Sequence, residues 1–149
     1  MTEEDAQSIV QTYLDRQGDA TISGDLEATL GWCDLPCTLQ TPQGVVVARN
    51  EAEMRAICQM FIDRLKMKRV TLMVRNCVEA GFHDADTVWG HYHTRYVAAD
   101  NVLSEEPYRA QVTLRRRDDR WKISEMRFAV QDQSPISETL AHWRGGKDD

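Results

Sequence analysis

Apolar positions in the first part of the chain recur at helical spacing, whereas those beyond residue 70 alternate as they do in strands. Thr2 with Asp5 three residues later makes a capping-box start, and Ala6, Ile9, Val10, Tyr13 and Leu14 follow on one helical face. Gln17 and Ala20 extend that face to Gly24, a natural stop, so a first helix is expected up to about residue 23. Glycine inside a helix costs roughly 1 kcal/mol relative to alanine, which predicts a bend or break at Gly18. Asp25 then caps a short second helix over 26–32, with Leu26 and Leu30 on one side.

Two extended runs, 35–40 and 45–47, flank Thr41-Pro42-Gln43-Gly44 and read as a hairpin. Asn50 with Glu53 opens a third helix, whose stripe is Met54, Ile57, Cys58, Phe61, Ile62 and Leu65 and whose end lies near Lys66. From Val70 the period changes to two. Strands are expected over 70–82, 87–97, 109–115 and 121–130, separated by a turn at Asp84-Ala85-Asp86, a loop at 100–107 and a hairpin at Asp118-Asp119. Ser134-Pro135 begins a terminal helix over about 135–144 that stops at Gly145-Gly146. Helices followed by a meander of long strands make an α+β pattern in a single domain over 1–149, with its core over about 3–131.

Composition narrows the function classes. The chain has 149 residues, and 18 Lys+Arg against 24 Asp+Glu leave a net charge of −6. That balance disfavours nucleic acid and anionic membranes as partners. Arg115-Arg116-Arg117 with Arg120 is then a solvated hairpin rim. Cys33, Cys37, Cys58 and Cys77 form no C-x-x-C pair and are too sparse for a disulfide scaffold, which predicts reduced thiols and a cytoplasmic setting. The acidic start Met1-Thr2-Glu3-Glu4-Asp5 does not read as a signal peptide, and no apolar run spans a bilayer. Nucleophile-elbow, P-loop and dinucleotide-binding motifs are absent, so no cofactor is expected.

The most conspicuous segment is Trp89-Gly90-His91-Tyr92-His93-Thr94-Arg95-Tyr96. On a strand, Trp89, His91, His93 and Arg95 share one face, and Gly90, Tyr92, Thr94 and Tyr96 share the other. His91 and His93 lie about 7 Å apart along such a strand, within reach of one metal, but no third ligand is marked and no metal is expected.

The order of elements, with Gly24-Asp25-Leu26-Glu27 closing the first helix and Asp118 to Ile123 turning into the last strand, resembles the NTF2-like, or SnoaL-like, superfamily. The resemblance covers about residues 3–131. It implies a cystatin-like cone: a curved antiparallel sheet wrapped around the N-terminal helices, with a pocket between its concave face and the first and third helices. It also implies a homodimer through the convex face, to which Trp89, His91, His93 and Arg95 are assigned. Tyr92 and Tyr96 then face the pocket as hydroxyl donors, and Gly90 leaves space beside them.

In dehydratase-like members a catalytic histidine stands two residues after a glycine on this strand, and that position here is Tyr92. The same members imply a carboxylate at Asp19, and Asp15 is an alternative on the same helix. Glu125, at even spacing from Trp121 and Ile123, is a further candidate for an inward carboxylate. The candidate catalytic set is therefore Asp19, Tyr92 and Glu125. Tyr13, Trp32, Met60, Tyr96 and Phe128 are the candidate ligand-binding residues, within an apolar lining that also takes Phe61, Met73 and Met126. Three functions remain open at this point. One is isomerase, cyclase or lyase chemistry on a cyclic hydrophobic substrate. The others are a non-catalytic binding module, and the small structural subunit of a ring-hydroxylating oxygenase. A pocket without an inward carboxylate favours the second.

Overall fold

A computed structural model describes residues 2–103, 107–130 and 134–147. The expected loop at 100–107 lies partly outside the described residues.

Helix α1, Glu3–Ile22, starts on the capping box: Asp5 N–H donates to Thr2 Oγ1 and Thr2 N–H to Asp5 Oδ2, each at 3.1 Å. It runs unbroken through Gly18. The residue is there for space, since a Cβ on it would stand 3.2 Å from Arg75 Nη2 on the neighbouring strand. Gly24 takes a left-handed φ of 76° after the helix, and Asp25 caps α2, Leu26–Leu30, two residues shorter than expected. Strands β1, Cys33–Thr41, and β2, Gly44–Ala48, form the first hairpin around Pro42-Gln43. Helix α3, Glu51–Met67, is capped by Asn50, whose Oδ1 accepts from Glu53 N–H at 2.9 Å.

Four strands then meander: β3, Val70–Asp84; β4, Thr87–Ala98; β5, Tyr108–Arg117; and β6, Arg120–Ala129. Asp118 and Asp119 both have positive φ (52° and 64°), the primed-turn geometry that matches strand twist. Helix α4, Pro135–Lys147, continues through Gly145-Gly146, a short extension at a helix end of the kind that frays.

The sheet has the order β2-β1-β6-β5-β4-β3 and is mixed, not wholly antiparallel, because β1 pairs with β6 in parallel. Strand parity explains this: β3 runs in the direction of β2, and three hairpin reversals bring β6 back beside β1 pointing the same way. β3 is therefore an edge. Helix α1 lies along it and satisfies its outer backbone groups: Gln7 Nε2 donates to Cys77 O (3.0 Å), Gln11 Nε2 to Arg75 O (2.8 Å), and Cys77 N–H to Gln11 Oε1 (2.8 Å).

The core fills the space between the inner sheet face and the helices, with Val10, Tyr13 and Leu14 of α1 and Ile57 of α3 against Val88, Tyr92, Tyr96, Val112 and Leu114. Gly90 leaves no free space beside the tyrosines, because Val10 occupies it; a Cβ there would sit 2.7 Å from Val10 Cγ1. Helix α4 lies across α3, joined by ion pairs from Glu138 to Lys68 (2.8 Å) and Arg64 (3.7 Å), and buries Ile136 and Leu140.

Candidate functional site

Helices α1, α3 and α4 and the inner sheet face enclose a cavity of about 60 Å³. Pockets that hold drug-sized ligands measure about 300–1,000 Å³, so this one is small for a large cyclic substrate. A shallower groove of about 620 Å³ on the outer face, along Val78, Glu79, His91, His93, Arg109 and Arg127, is open to solvent and encloses nothing.

The cavity wall is apolar where Met54, Ile57, Met73, Ile123, Met126 and Phe128 meet it, and polar on one side. The polar side centres on Arg75. β3 places Met73, Arg75 and Cys77 inward, opposite Tyr96, Thr94 and Tyr92 of β4, and sends Leu72 and Val78 outward. Arg75 is only 7% exposed. Its Nη2 donates to Leu14 O at 2.6 Å and to Gln17 Oε1, both neutral acceptors. Its guanidinium carbon stands 5.8 Å from the centre of the Tyr92 ring. Nε, buried, has no hydrogen-bond partner, and no carboxylate of the described residues comes within ion-pairing distance.

Tyrosines complete the polar side. Tyr13, 1% exposed, has a buried hydroxyl without a partner. The Tyr92 hydroxyl reaches the Met126 sulfur, at 3.9 Å, and also interacts with the Arg75 side chain, and the Tyr96 and Tyr108 hydroxyls pair at 2.6 Å. Burial pushes the Tyr13 phenol well above its ordinary value of 10.0 and raises that of Tyr92; the Arg75 charge opposes both shifts and is outweighed. Both phenols stay protonated at neutral pH and act as donors. Cys33 also reaches the cavity. Its thiol is raised by hydrogen bonding with the Cys58 thiol and by burial, and burial raises Cys37, so neither is a ready nucleophile.

Of the residues singled out in the sequence, Tyr13, Tyr92, Tyr96 and Phe128 line this cavity together with Phe61, Met73 and Met126. Trp32 does not; it packs edge-on against Tyr13 at 5.9 Å, with Arg120 4.3 Å over its ring on the outer side. Met60 is half-buried on α3 and also off the cavity. Asp19 and Asp15 are exposed on α1, Asp15 accepting from Gln11 Nε2 at 2.9 Å.

Glu125 points outward, pairing with Arg127 at 2.8 Å. The cause is a bulge: Thr113 opposes Glu125 while Leu114 opposes Ile123, so Ser124 is an extra residue that reverses the alternation. Ile123 and Met126 face inward, and Glu125 does not. Arg75 was not singled out by sequence. The signal available was an arginine between Met73 and Cys77 in a period-two run, matched by a glycine inside α1.

Solved structures share this architecture. A domain of unknown function with a cystatin-like fold from Nostoc punctiforme superposes with a TM-score of 0.68 at 14% identity, over 97% of this chain and 88% of that one. An NTF-2-like protein of unknown function from Shewanella oneidensis gives 0.63 at 14% identity, over 83% and 98%. The fold is NTF2-like. A ketosteroid isomerase-like protein from Erwinia carotovora atroseptica shares this NTF2-like fold with a TM-score of 0.59 at 15% identity, over 83% and 94%. No family model and no curated protein matches the sequence. Among the described residues, no group of three or more His, Cys, Asp or Glu is placed to hold a metal, and no helix is long and apolar enough to cross a membrane.

Proposed function

We propose that the chain is a non-catalytic binding module that holds a small, acceptor-rich molecule inside its NTF2-like cone. The observation that carries this reading is the composition of the cavity wall: a guanidinium and phenols, with no carboxylate or imidazole among the described residues. Isomerase or lyase chemistry needs a group that takes up and releases a proton near neutral pH. The phenols are held protonated by burial, and Asp15, Asp19 and Glu125 stand outside, so the wall donates hydrogen bonds and abstracts nothing.

Met54, Met73 and Met126 line the cavity, and Met67, 79% exposed, does not. Their methyl resonances are therefore an internal reporter with a built-in control. Titration with molecules of a few heavy atoms (acetate, acetamide, acetone) is expected to move the cavity methyls saturably and to leave Met67 in place. Three unmoved cavity methyls would refute binding there. Conversion of a β,γ-unsaturated ketone to its conjugated isomer, followed by ultraviolet absorbance, would restore the isomerase reading.

The outer face of β3 and β4 supports a second element of the proposal, a two-fold homodimer. It presents Leu72 (51% exposed) and Val78 (55% exposed) beside His91, His93 and Arg95. Trp89 contributes less than its size suggests, since its ring is seated over Gly81 and against His91 at 5.3 Å. Light scattering at micromolar concentration should read twice the chain mass; a monomer would contradict the dimer.

A further inference from the structure

We propose that the cavity is an anion site, and that the molecule it takes is a small carboxylate whose head group sits at the Arg75 and Tyr13 side chains. The inference rests on the binding reading above and names the ligand class that reading leaves open.

Two residues of the cavity wall each carry a buried donor without an acceptor. Arg75 Nε and Tyr13 Oη are both shielded from solvent and both unpartnered, on residues 93% and 99% buried by the exposures of 7% and 1%. Unpaired buried donors are uncommon in folded proteins, because each forgoes its hydrogen bond to water without replacement. Here the deficit is one of charge as well. The guanidinium is a cation, and the groups it meets are neutral: Leu14 O and Gln17 Oε1, both at Nη2, and the Tyr92 hydroxyl. A buried guanidinium without a counter-charge is the arrangement a protein avoids unless something supplies the charge.

The surroundings fit a carboxylate better than a neutral amide or ketone. A carboxylate accepts through two oxygens and donates nothing, and this side of the cavity offers donors: Arg75, Tyr13 and the protonated Tyr92 phenol. Met73, Met126 and Ile123 supply an apolar wall for a short alkyl tail. The small volume, about 60 Å³, keeps that tail short. Glycine at position 18 belongs to the same arrangement, because a side chain there would press on Arg75 Nη2 from 3.2 Å and displace the guanidinium.

The test reads the Arg75 Nε–H resonance and the cavity methionine methyls while the full chain is titrated with acetate, and separately with acetamide. Ionic strength is held constant with gluconate, which is too large to enter. Acetate is expected to move the Arg75 Nε–H saturably and to bind at least tenfold more tightly than acetamide. Tyr13→Phe should weaken acetate three- to tenfold and leave the thermal midpoint equal or higher, since it removes an unpartnered hydroxyl. Arg75→Gln should abolish the preference for acetate; if that variant does not fold, Tyr13→Phe carries the test alone. Equal affinity for acetate and acetamide, or unchanged acetate affinity in Tyr13→Phe, would overturn the anion site while the binding module stands. Cavity methyls unmoved by either probe would overturn both.

Discussion

The two faces of β3 and β4 carry similar residue types in opposite circumstances. Outside, Arg95, His91 and His93 stand in solvent, and Leu72 and Val78 are exposed beside them. Inside, Arg75 is buried with tyrosines, and its Nε, the Tyr13 hydroxyl and the hydroxyl of Thr94 opposite it have no hydrogen-bond partner. An arginine in water is ordinary and says nothing about function. The same side chain enclosed without a counter-charge marks a place where packing alone does not explain the choice of residue.

Paired glycines sharpen this contrast most. Gly90→Ala, on the inner face, drives a Cβ to 2.7 Å from Val10 Cγ1, where α1 is pressed against the sheet and cannot yield. Overpacking of this kind costs about 1–3 kcal/mol. Gly81→Ala, on the outer face, meets the Trp89 ring at 2.9 Å, but that ring is half-exposed and can swing away. Urea unfolding of the two variants should show the first clearly destabilised and the second close to the parent. Equal losses would mean that the outer ring is as firmly held as the core.

Alkaline titration separates the faces by charge. The buried Tyr13 and Tyr92 phenols and the Cys33 and Cys37 thiols are all raised above their ordinary values. Groups raised in the folded state contribute stability that is fully present below their unfolded values and is lost as pH climbs towards their folded ones. Unfolding free energy should therefore hold through neutral pH and fall above roughly 8.5 for thiols and 10 for phenols. A flat profile to pH 11 would show that these groups ionise in place.

Much of this was legible in the chain because it is local. Thr2 with Asp5, Asn50, the Pro42-Gln43 turn and the Asp118-Asp119 turn each determine their element by contacts within four residues. The strand period alone put Tyr92 and Tyr96 on one face of β4 and Trp89, His91, His93 and Arg95 on the other. What was not legible depends on partners far along the chain. The parallel pairing of β1 with β6 is settled by a count of reversals, which no periodicity records. One extra residue at Ser124 turned Glu125 outward. Gly18 reads as a helix defect until Arg75, 57 positions later, is seen to need its space.

Removing the solvent-facing carboxylates should have the smallest effect. Asp19→Asn and Glu125→Gln alter solvent-facing groups, and each should change unfolding free energy by less than about 0.5 kcal/mol. Probe shifts at the cavity methyls should be unaltered in both. A carboxylate variant that lost probe binding would return that residue to the site.

The central claim is that Arg75 serves a ligand and not the fold, and Arg75→Met tests it directly. Methionine keeps the apolar stem, removes the uncompensated charge, and leaves Gln17 free to turn towards water from its half-buried position. Replacing a buried charge with an apolar side chain of similar length is often neutral or stabilising. Urea unfolding in ligand-free buffer should place Arg75→Met within about 1 kcal/mol of the parent, or above it. A loss of more than about 3 kcal/mol would show that the guanidinium holds the structure together, and would contradict the account.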